Sequence, residues 1–313
     1  MKKKSLLIAL LTFMSINFIY AQDEIFKVLA SSGSNKVQTQ GASDWKPLYF
    51  GKKLMKGDKI KIADKGYVGL VFKNGKSIEI KKAGEYEVNK LVGDVSKQNA
   101  SVNTKYTDFL AGEMSKTGND DMARNRYKHM SVTGSVKRGH NEIPIFVDSI
   151  TNSMNVLGNE VLIKWEPEVN TKIYIVQLSN LFGDVISTKE TTESSILLNI
   201  DSKNEKMYIA TISSKEQADV KNDVRISYPS NDKALELNKQ LADLKAQLSE
   251  ETALNKIILA SFYEDNKFYP EAMQSYEAAI KMEPGVEDYQ IAYNQFLERA
   301  KIAVPSAPKA DKK

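Results

Sequence analysis

The sequence predicts a multidomain, mainly β then α protein. It comprises a small β roll or barrel, a partly helical linker, a seven-stranded β-sandwich and a C-terminal α-helical segment. Apolar and polar residues alternate with period two in residues 37–91 and again in residues 141–228, as half-buried strands require. From Asn231 onward the apolar spacing becomes helical, because leucines step by three and four residues. The polar stretch between the two β regions has weaker helical patterning.

The first 21 residues have the layout of a secretory signal peptide. Three lysines precede an apolar run from Leu6 to Tyr20, and the small residue Ala21 offers a cleavage point. A retained membrane anchor is the alternative, but the apolar run is short for a full span and polar sequence follows it. We therefore expect export, and a soluble protein that is periplasmic or associated with the outer membrane.

The amino-acid composition excludes several kinds of chemical site. The chain contains no cysteine, which excludes disulfides, thiolate metal sites and lipidation at the cleavage site. The formal net charge of +4 falls to +1 without the three leader lysines (4 − 3), so the overall charge indicates no partner. The spacing of the two histidines, His129 and His140, is not that of a metalloprotease motif. The sequence also has no hydrolase or nucleotide-binding motif. We expect no enzyme activity, no cofactor and no metal.

The first β domain is assigned to residues 22–95, with its alternating strands from about Val37 to Leu91. Asn74-Gly75 lies between two alternating runs and is typical of a two-residue hairpin turn, because both residue types tolerate positive φ. Gly57-Asp58 is a turn signal of the same kind. Short strands at this spacing predict a small rolled sheet or barrel.

This stretch resembles the FecR-type periplasmic β domain. In that pattern a leucine, two residues and a Gly-Asp turn introduce the sheet, and an Asn-Gly hairpin follows an apolar strand. The best-known members relay a signal from an outer-membrane receptor to a cytoplasmic sigma factor through a transmembrane helix. This chain has no second apolar span, so we expect a binding module, with a FecR-type sensor or regulator of envelope signalling as the alternative. The resemblance is carried by Leu54, Gly57, Asp58, Phe72 and Gly75.

Lysines crowd the same stretch and form a candidate basic binding face. Ten lysines stand against three acidic residues between Gly51 and Lys82. Alternation places most of them on the solvated side of the sheet, where lysine also discourages edge-to-edge association. Alternatively, an electropositive face would meet an acidic glycan or an outer-membrane component, as in a carbohydrate-binding accessory protein. Few aromatic residues interleave with them, so no nucleic acid is expected. The candidates are Lys52, Lys53, Lys56, Lys59, Lys61, Lys73 and Lys76.

Residues 96–140 are expected to form a partly helical linker, since one helix face carries Tyr106, Phe109, Leu110 and Met114. Residues 141–229 are expected to form a β-sandwich similar to fibronectin type III and immunoglobulin-like domains, with Trp165, Tyr174 and Tyr208 in its core. Ser149 lies in a short Asp-Ser-Ile pattern of the kind that is O-glycosylated, although three residues carry little information. The seven candidate strands are 143–149, 160–166, 172–179, 183–189, 194–200, 206–213 and 223–228.

Residues 230–302 are expected to be helical, and residues 303–313 to form a disordered tail. About residues 251–284 the spacing of small, aromatic and proline positions resembles a tetratricopeptide repeat. The resemblance implies two closely packed helices that bind a partner protein. Its packing positions are Ala260, Tyr263, Ala272, Tyr276, Ala279 and Pro284.

Three interaction-type modules without a catalytic constellation lead to one functional expectation. The sequence predicts a non-catalytic exported cell-envelope protein that acts as a protein-interaction or scaffolding module. Its helical C-terminal segment would hold an envelope protein, and its basic β domain would contact another envelope component.

Overall fold

A computed structural model shows several antiparallel sheets in the N-terminal and middle parts of the chain, followed by four C-terminal helices. The expected order, mainly β and then α, is confirmed. The predicted leader, His129, His140, Ser149 and the predicted tail lie outside the described residues. The structure describes residues 24–97, 101–115, 142–147, 150–201, 203, 205–248 and 250–302.

Eight strands form the first β region, in two open four-stranded sheets. The first sheet has the order β4-β1-β6-β7 and the second the order β3-β2-β5-β8, with antiparallel neighbours throughout. Of the two forms that were expected, a roll or a barrel, the barrel is therefore wrong for the described strands. A 3-10 helical segment, Val88–Lys97, follows them and is kinked at Gly93. The strands are β1 Glu24–Ser32, β2 Lys36–Gln38, β3 Lys46–Pro47, β4 Lys53–Met55, β5 Lys59–Ile62, β6 Tyr67–Phe72, β7 Ser77–Ile80 and β8 Gly84–Glu87.

Strand β1 was missed by the sequence analysis, which began the alternating strands at Val37. It lies between β4 and β6, and both of its faces are buried. Phe26 and Val28 belong to the core between the two sheets, whereas Leu29 and Ala30 belong to a core shared with the helices. A strand covered on both faces has a nearly continuous apolar sequence, so it lacks the period-two signal.

The turns that carry the FecR-like resemblance have definite backbone roles. Gly57 and Gly75 have φ values of +87° and +91°, in the region that glycine tolerates best. The buried Asp58 accepts hydrogen bonds from the backbone N–H groups of Gln40 and Met55, both at 2.9 Å. These residues therefore hold the turns of the first β region together, and their pattern describes folding more than ligand chemistry.

Seven strands, referred to below as the seven-strand region, form the middle of the chain. A five-stranded sheet of order β12-β11-β14-β15-β9 and a two-stranded sheet of β10 and β13 share one core. Within the described part of the expected strand 143–149, Ile145 makes an isolated bridge with Trp165. An unexpected strand, β9, pairs in parallel with β15 instead. The strands are β9 Ser153–Asn155, β10 Glu160–Lys164, β11 Tyr174–Ser179, β12 Val185–Thr191, β13 Ser195–Asn199, β14 Met207–Ser214 and β15 Lys221–Ser227.

Five helices are found in the described residues. One lies in the expected linker and packs against the third helix, where the rings of Tyr106 and Phe262 meet edge to face at 5.2 Å. Ser230 and Thr252 cap the second and third helices through side-chain oxygens, as such residues do at helix starts. No helix among these described segments is long and apolar enough to cross a membrane. The helices are α1 Ser101–Ser115, α2 Asn231–Gln247, α3 Ala253–Asp265, α4 Tyr269–Met282 and α5 Glu287–Arg299.

The C-terminal helices cover the outer face of the first sheet. The hydroxyl groups of Tyr67 on β6 and Tyr289 on α5 are hydrogen-bonded at 2.6 Å in a buried position. The Ser31 N–H donates to the Asp288 carboxylate at 2.8 Å, across 257 residues of sequence. One hydrophobic core therefore contains residues from both ends of the described chain, with the seven-strand region inserted between them.

The packing of the C-terminal helices on the first sheet is expected to require glycine at position 69. A Cβ at Gly69 would lie 3.3 Å from Cδ2 of Leu254 on α3, which is tighter than ordinary packing. We expect Gly69→Val to lower the free energy of unfolding by about 1–3 kcal/mol through overpacking. Gly112→Ala is the control, because no atom lies within 4 Å of the added Cβ on α1 and alanine favours a helix. Urea denaturation of both variants measures the difference, and equal effects would contradict the close contact.

Candidate functional site

The candidate site is a groove of about 350 Å³ between the end of α2, the start of α3 and one side of α4. Nine of the 13 residues of α3 are buried, because the sheet, α1 and α4 pack around this helix. Lys256, Leu259 and Tyr263 remain partly open and lie at helical spacing on a single stripe. This stripe is accessible to another molecule, whereas Asp265 at the end of α3 is exposed but paired with Lys105 of α1.

The groove has an apolar floor and a charged rim. Leu248, Leu259 and Tyr263 form the floor, and Ser275 of α4 contributes a hydroxyl. Burial raises the pKa of Tyr263 to about 12, so its hydroxyl stays neutral over the physiological range and can donate a hydrogen bond. The remaining lining residues are Lys245, Glu250, Glu251, Thr252, Asn255 and Lys256.

Charge on the rim is mixed. Lys256 pairs with Glu251 at 2.9 Å, in a bridge whose glutamate side chain is 87% exposed. An exposed pair of this kind contributes little to stability and can exchange partners easily. Because such a rim contributes little, the apolar floor would supply most of the free energy of binding to another molecule.

A second cleft of about 400 Å³ adjoins the groove on the side of the first β region. Both share Glu250, Thr252 and Asn255 in their linings. Here the Ser77 hydroxyl donates to Asn255, and Glu79 accepts a 2.8 Å hydrogen bond from the Leu254 N–H. These contacts fix strand β7 to the start of α3, so the cleft has rigid walls.

The structure divides the seven candidate lysines among several places. Lys59 and Lys61 are exposed on β5 of the second sheet, and Lys61 pairs with Glu85 at 3.0 Å. Lys52 is half-buried before β4, and Lys56 is exposed in the turn after it. They are not gathered on one face, so a basic binding surface remains a prediction.

The other three lysines line clefts. Lys76 lies in the cleft beside the helical groove. Lys53 and Lys73 line a separate cleft of about 360 Å³ between the first sheet and α1. There Lys53 pairs with Glu24 at 2.7 Å, and the hydrogen bond to Glu24 raises the pKa of Lys53. Part of the positive charge of this cleft is therefore already neutralised.

Most of the predicted packing residues occupy interior positions, with Tyr263 and Pro284 as the exceptions. Trp165, Tyr174 and Tyr208 are buried in the seven-strand region, and the Trp165 and Tyr174 rings meet at 5.2 Å. In the helices Tyr263 is half-buried beside the groove, and Pro284 is exposed in the turn after α4. The fully buried positions between α3 and α4 are Ala260, Ala272, Tyr276 and Ala279.

Within the described ranges, no three His, Cys, Asp or Glu side chains come together in a way that could hold a metal ion. The buried Glu264 is held by Arg299 at 2.7 Å and by the Tyr276 hydroxyl at 2.9 Å, an arrangement that joins α3, α4 and α5. We interpret it as structural, because each group faces the helical core.

Comparison with known proteins does not name a family: a scan against protein-family models and a search of curated proteins both found no match. The resemblances to FecR-type, fibronectin-like and tetratricopeptide domains therefore remain predictions from the sequence.

No sequence pattern identifies the groove as a site. Its lining comes from three helices and the α2–α3 connection, and a sequence pattern does not show which side of α3 the first sheet covers. The available signal was Leu259, an apolar residue outside the set of repeat-like packing positions.

Proposed function

We propose that the protein is a non-catalytic exported cell-envelope scaffold that holds a partner protein in the groove beside α3. The observation that carries the proposal is the partly open stripe of Lys256, Leu259 and Tyr263 on a helix of which nine of the 13 residues are buried. An apolar floor inside a polar rim is the usual anatomy of a protein-binding surface. The helical resemblance to tetratricopeptide repeats supports the same kind of ligand.

The rest of the proposal follows the domain resemblances. A FecR-like β domain and a fibronectin-like sandwich would supply a rigid body that presents the groove. The clefts at Lys53, Lys73 and Lys76 are where an acidic glycan or an outer-membrane component would approach. Because Lys53 is already paired with Glu24, we propose the helical groove, and not these clefts, as the site of the protein partner.

Site-specific photo-crosslinking in the native cell envelope tests this proposal. A photoreactive amino acid replaces Leu259 in the groove or, as the matched control, Leu235, which is 74% exposed on α2 and does not line the groove. We expect a discrete crosslinked protein, identified by mass spectrometry, with the probe at position 259 but not at position 235. No adduct at position 259, or the same adducts at both positions, would overturn the proposed groove.

A further inference from the structure

The contact between the seven-strand region and the C-terminal helices is small and partly polar. Helix α4 touches β9 and β10, and the contact includes an ion pair between Lys164 and Glu277. An apolar cavity of about 10 Å³ lies in the same contact. Its lining consists of Phe146, Leu162, Lys164, Pro270 and Met273. A group that is buried in such a contact and able to ionise can change its stability.

Glu271 is such a group. It lies in the first turn of α4 and points across the contact to the turn between β9 and β10. Its Oε1 accepts hydrogen bonds from the N–H groups of Leu157 at 2.7 Å and Gly158 at 3.3 Å. A single carboxyl oxygen thus joins two backbone amides of the seven-strand region to the helices.

The other carboxyl oxygen has an unfavourable environment for a charge. Although part of the Glu271 side chain is exposed, Oε2 is buried and has no hydrogen-bond partner among the described residues. The Tyr228 hydroxyl, at the end of the seven-strand region, is also buried and has no hydrogen-bond partner among the described residues. A buried carboxylate oxygen without a donor favours the protonated, neutral side chain.

Few charged groups are available to offset this cost. Tyr228 beyond β15 and Tyr263 on α3 are titratable side chains that interact electrostatically with Glu271, and Tyr228 also interacts with Tyr208 and Asp201. The Lys164 ammonium is paired with Glu277 on α4. No cation among the described residues forms an ion pair with Glu271.

Burial raises the pKa of Glu271 from its ordinary 4.5 to about 7, although the two amide hydrogen bonds act in the opposite direction. The closed contact therefore binds the proton more tightly than an opened, hydrated side chain would. Stability from protonation is fully present below about pH 4.5 and is lost as the pH rises to about 7.

We propose that Glu271 is a proton-dependent latch between the seven-strand region and the C-terminal helices. The protonated side chain holds the Leu157–Gly158 turn against α4, and ionisation weakens this hold. Since Ser275 lines the groove and its hydroxyl donates to the backbone oxygen of Glu271 at 2.8 Å, opening the latch affects one wall of the groove. The latch does not require the proposed partner binding and can be tested without a partner.

Hydrogen–deuterium exchange on the full chain tests the latch at about pH 5 and about pH 7.5, with intrinsic exchange rates corrected. We expect the protection of the Leu157 and Gly158 amides to fall with rising pH, by up to about tenfold per pH unit between the two pKa values. Glu271→Gln keeps an amide oxygen as acceptor and cannot ionise, so it should retain protection at the higher pH.

Glu277→Gln is the matched control, since it removes the other charged contact on the same helix. It should lower the protection of these amides at both pH values while leaving the pH dependence intact. The latch is overturned if Glu271→Gln loses protection with pH as the wild type does, or if the wild type shows no loss. If Glu271→Gln fails to fold, the pKa of Glu271 is measured in the wild type by ¹³C NMR titration of its carboxyl carbon. A titration midpoint near the ordinary value of a glutamate would also overturn the latch.

Discussion

Arg299→Ala is expected to lower the free energy of unfolding by about 3–5 kcal/mol, because it leaves a buried carboxylate without its cation. The Arg299 Nε lies 2.7 Å from Glu264, whose side chain is 6% exposed, and 3.5 Å from Glu113 on α1. The Tyr276 hydroxyl also donates to Glu264, at 2.9 Å, so the arginine completes a set of contacts among four helices. Guanidinium denaturation followed by far-ultraviolet circular dichroism measures the loss.

Two further variants separate the buried charge from a general loss of ion pairing. Lys256→Ala breaks an exposed pair and should cost at most about 1 kcal/mol. Adding Glu264→Gln to Arg299→Ala should restore part of the lost stability, since the uncompensated charge is then removed. Equal effects of Arg299→Ala and Lys256→Ala would contradict the structural role of this cluster.

Trp165→Ala is expected to lower the free energy of unfolding of the seven-strand region by about 3–5 kcal/mol. The side chain is fully buried, and its ring meets Tyr174 edge to face at 5.2 Å. Its indole nitrogen has no hydrogen-bond partner among the described residues, so the loss comes from packing alone. Near-ultraviolet circular dichroism during urea denaturation reports the change.

Phe182→Ala provides the comparison, because Phe182 is in the same region but is 90% exposed, in the loop between β11 and β12. We expect its effect to stay within about 0.5 kcal/mol. A loss below about 1 kcal/mol for Trp165→Ala would show that the two sheets do not enclose the indole as described.

The sequence allowed much of the fold to be predicted wherever an element buries one face. Alternation located β5 to β7, and leucine spacing located α2. Strand β1 was not predicted because Leu29 and Phe26 are buried on opposite faces, so apolar and polar residues do not alternate along it. Tyr67 lies on the opposite face of β6 from Val68 and Leu70, but no sequence pattern indicates that this face meets Tyr289.

The candidate site was less predictable for the same reason. Repeat-like spacing identified Ala260 and Tyr276 as packing residues, and both are buried. The groove depends on which side of α3 is covered by β7 and α1, and this is a long-range property. Glu271 looks like an ordinary acidic residue in a first helical turn, and only the approach of Leu157 gives it a buried oxygen.

The core shared by β1 and α5 also has a consequence for how the chain folds. Ser31 and Asp288 are 257 residues apart, and the Tyr67–Tyr289 pair spans 222 residues. Contacts of such high sequence separation cost much loop-closure entropy and slow folding. During synthesis the outer face of the first sheet stays uncovered until the last helices have emerged. The seven-strand region, whose contacts span much shorter stretches of sequence, can fold in the meantime and so shortens the effective loop that the two ends must close.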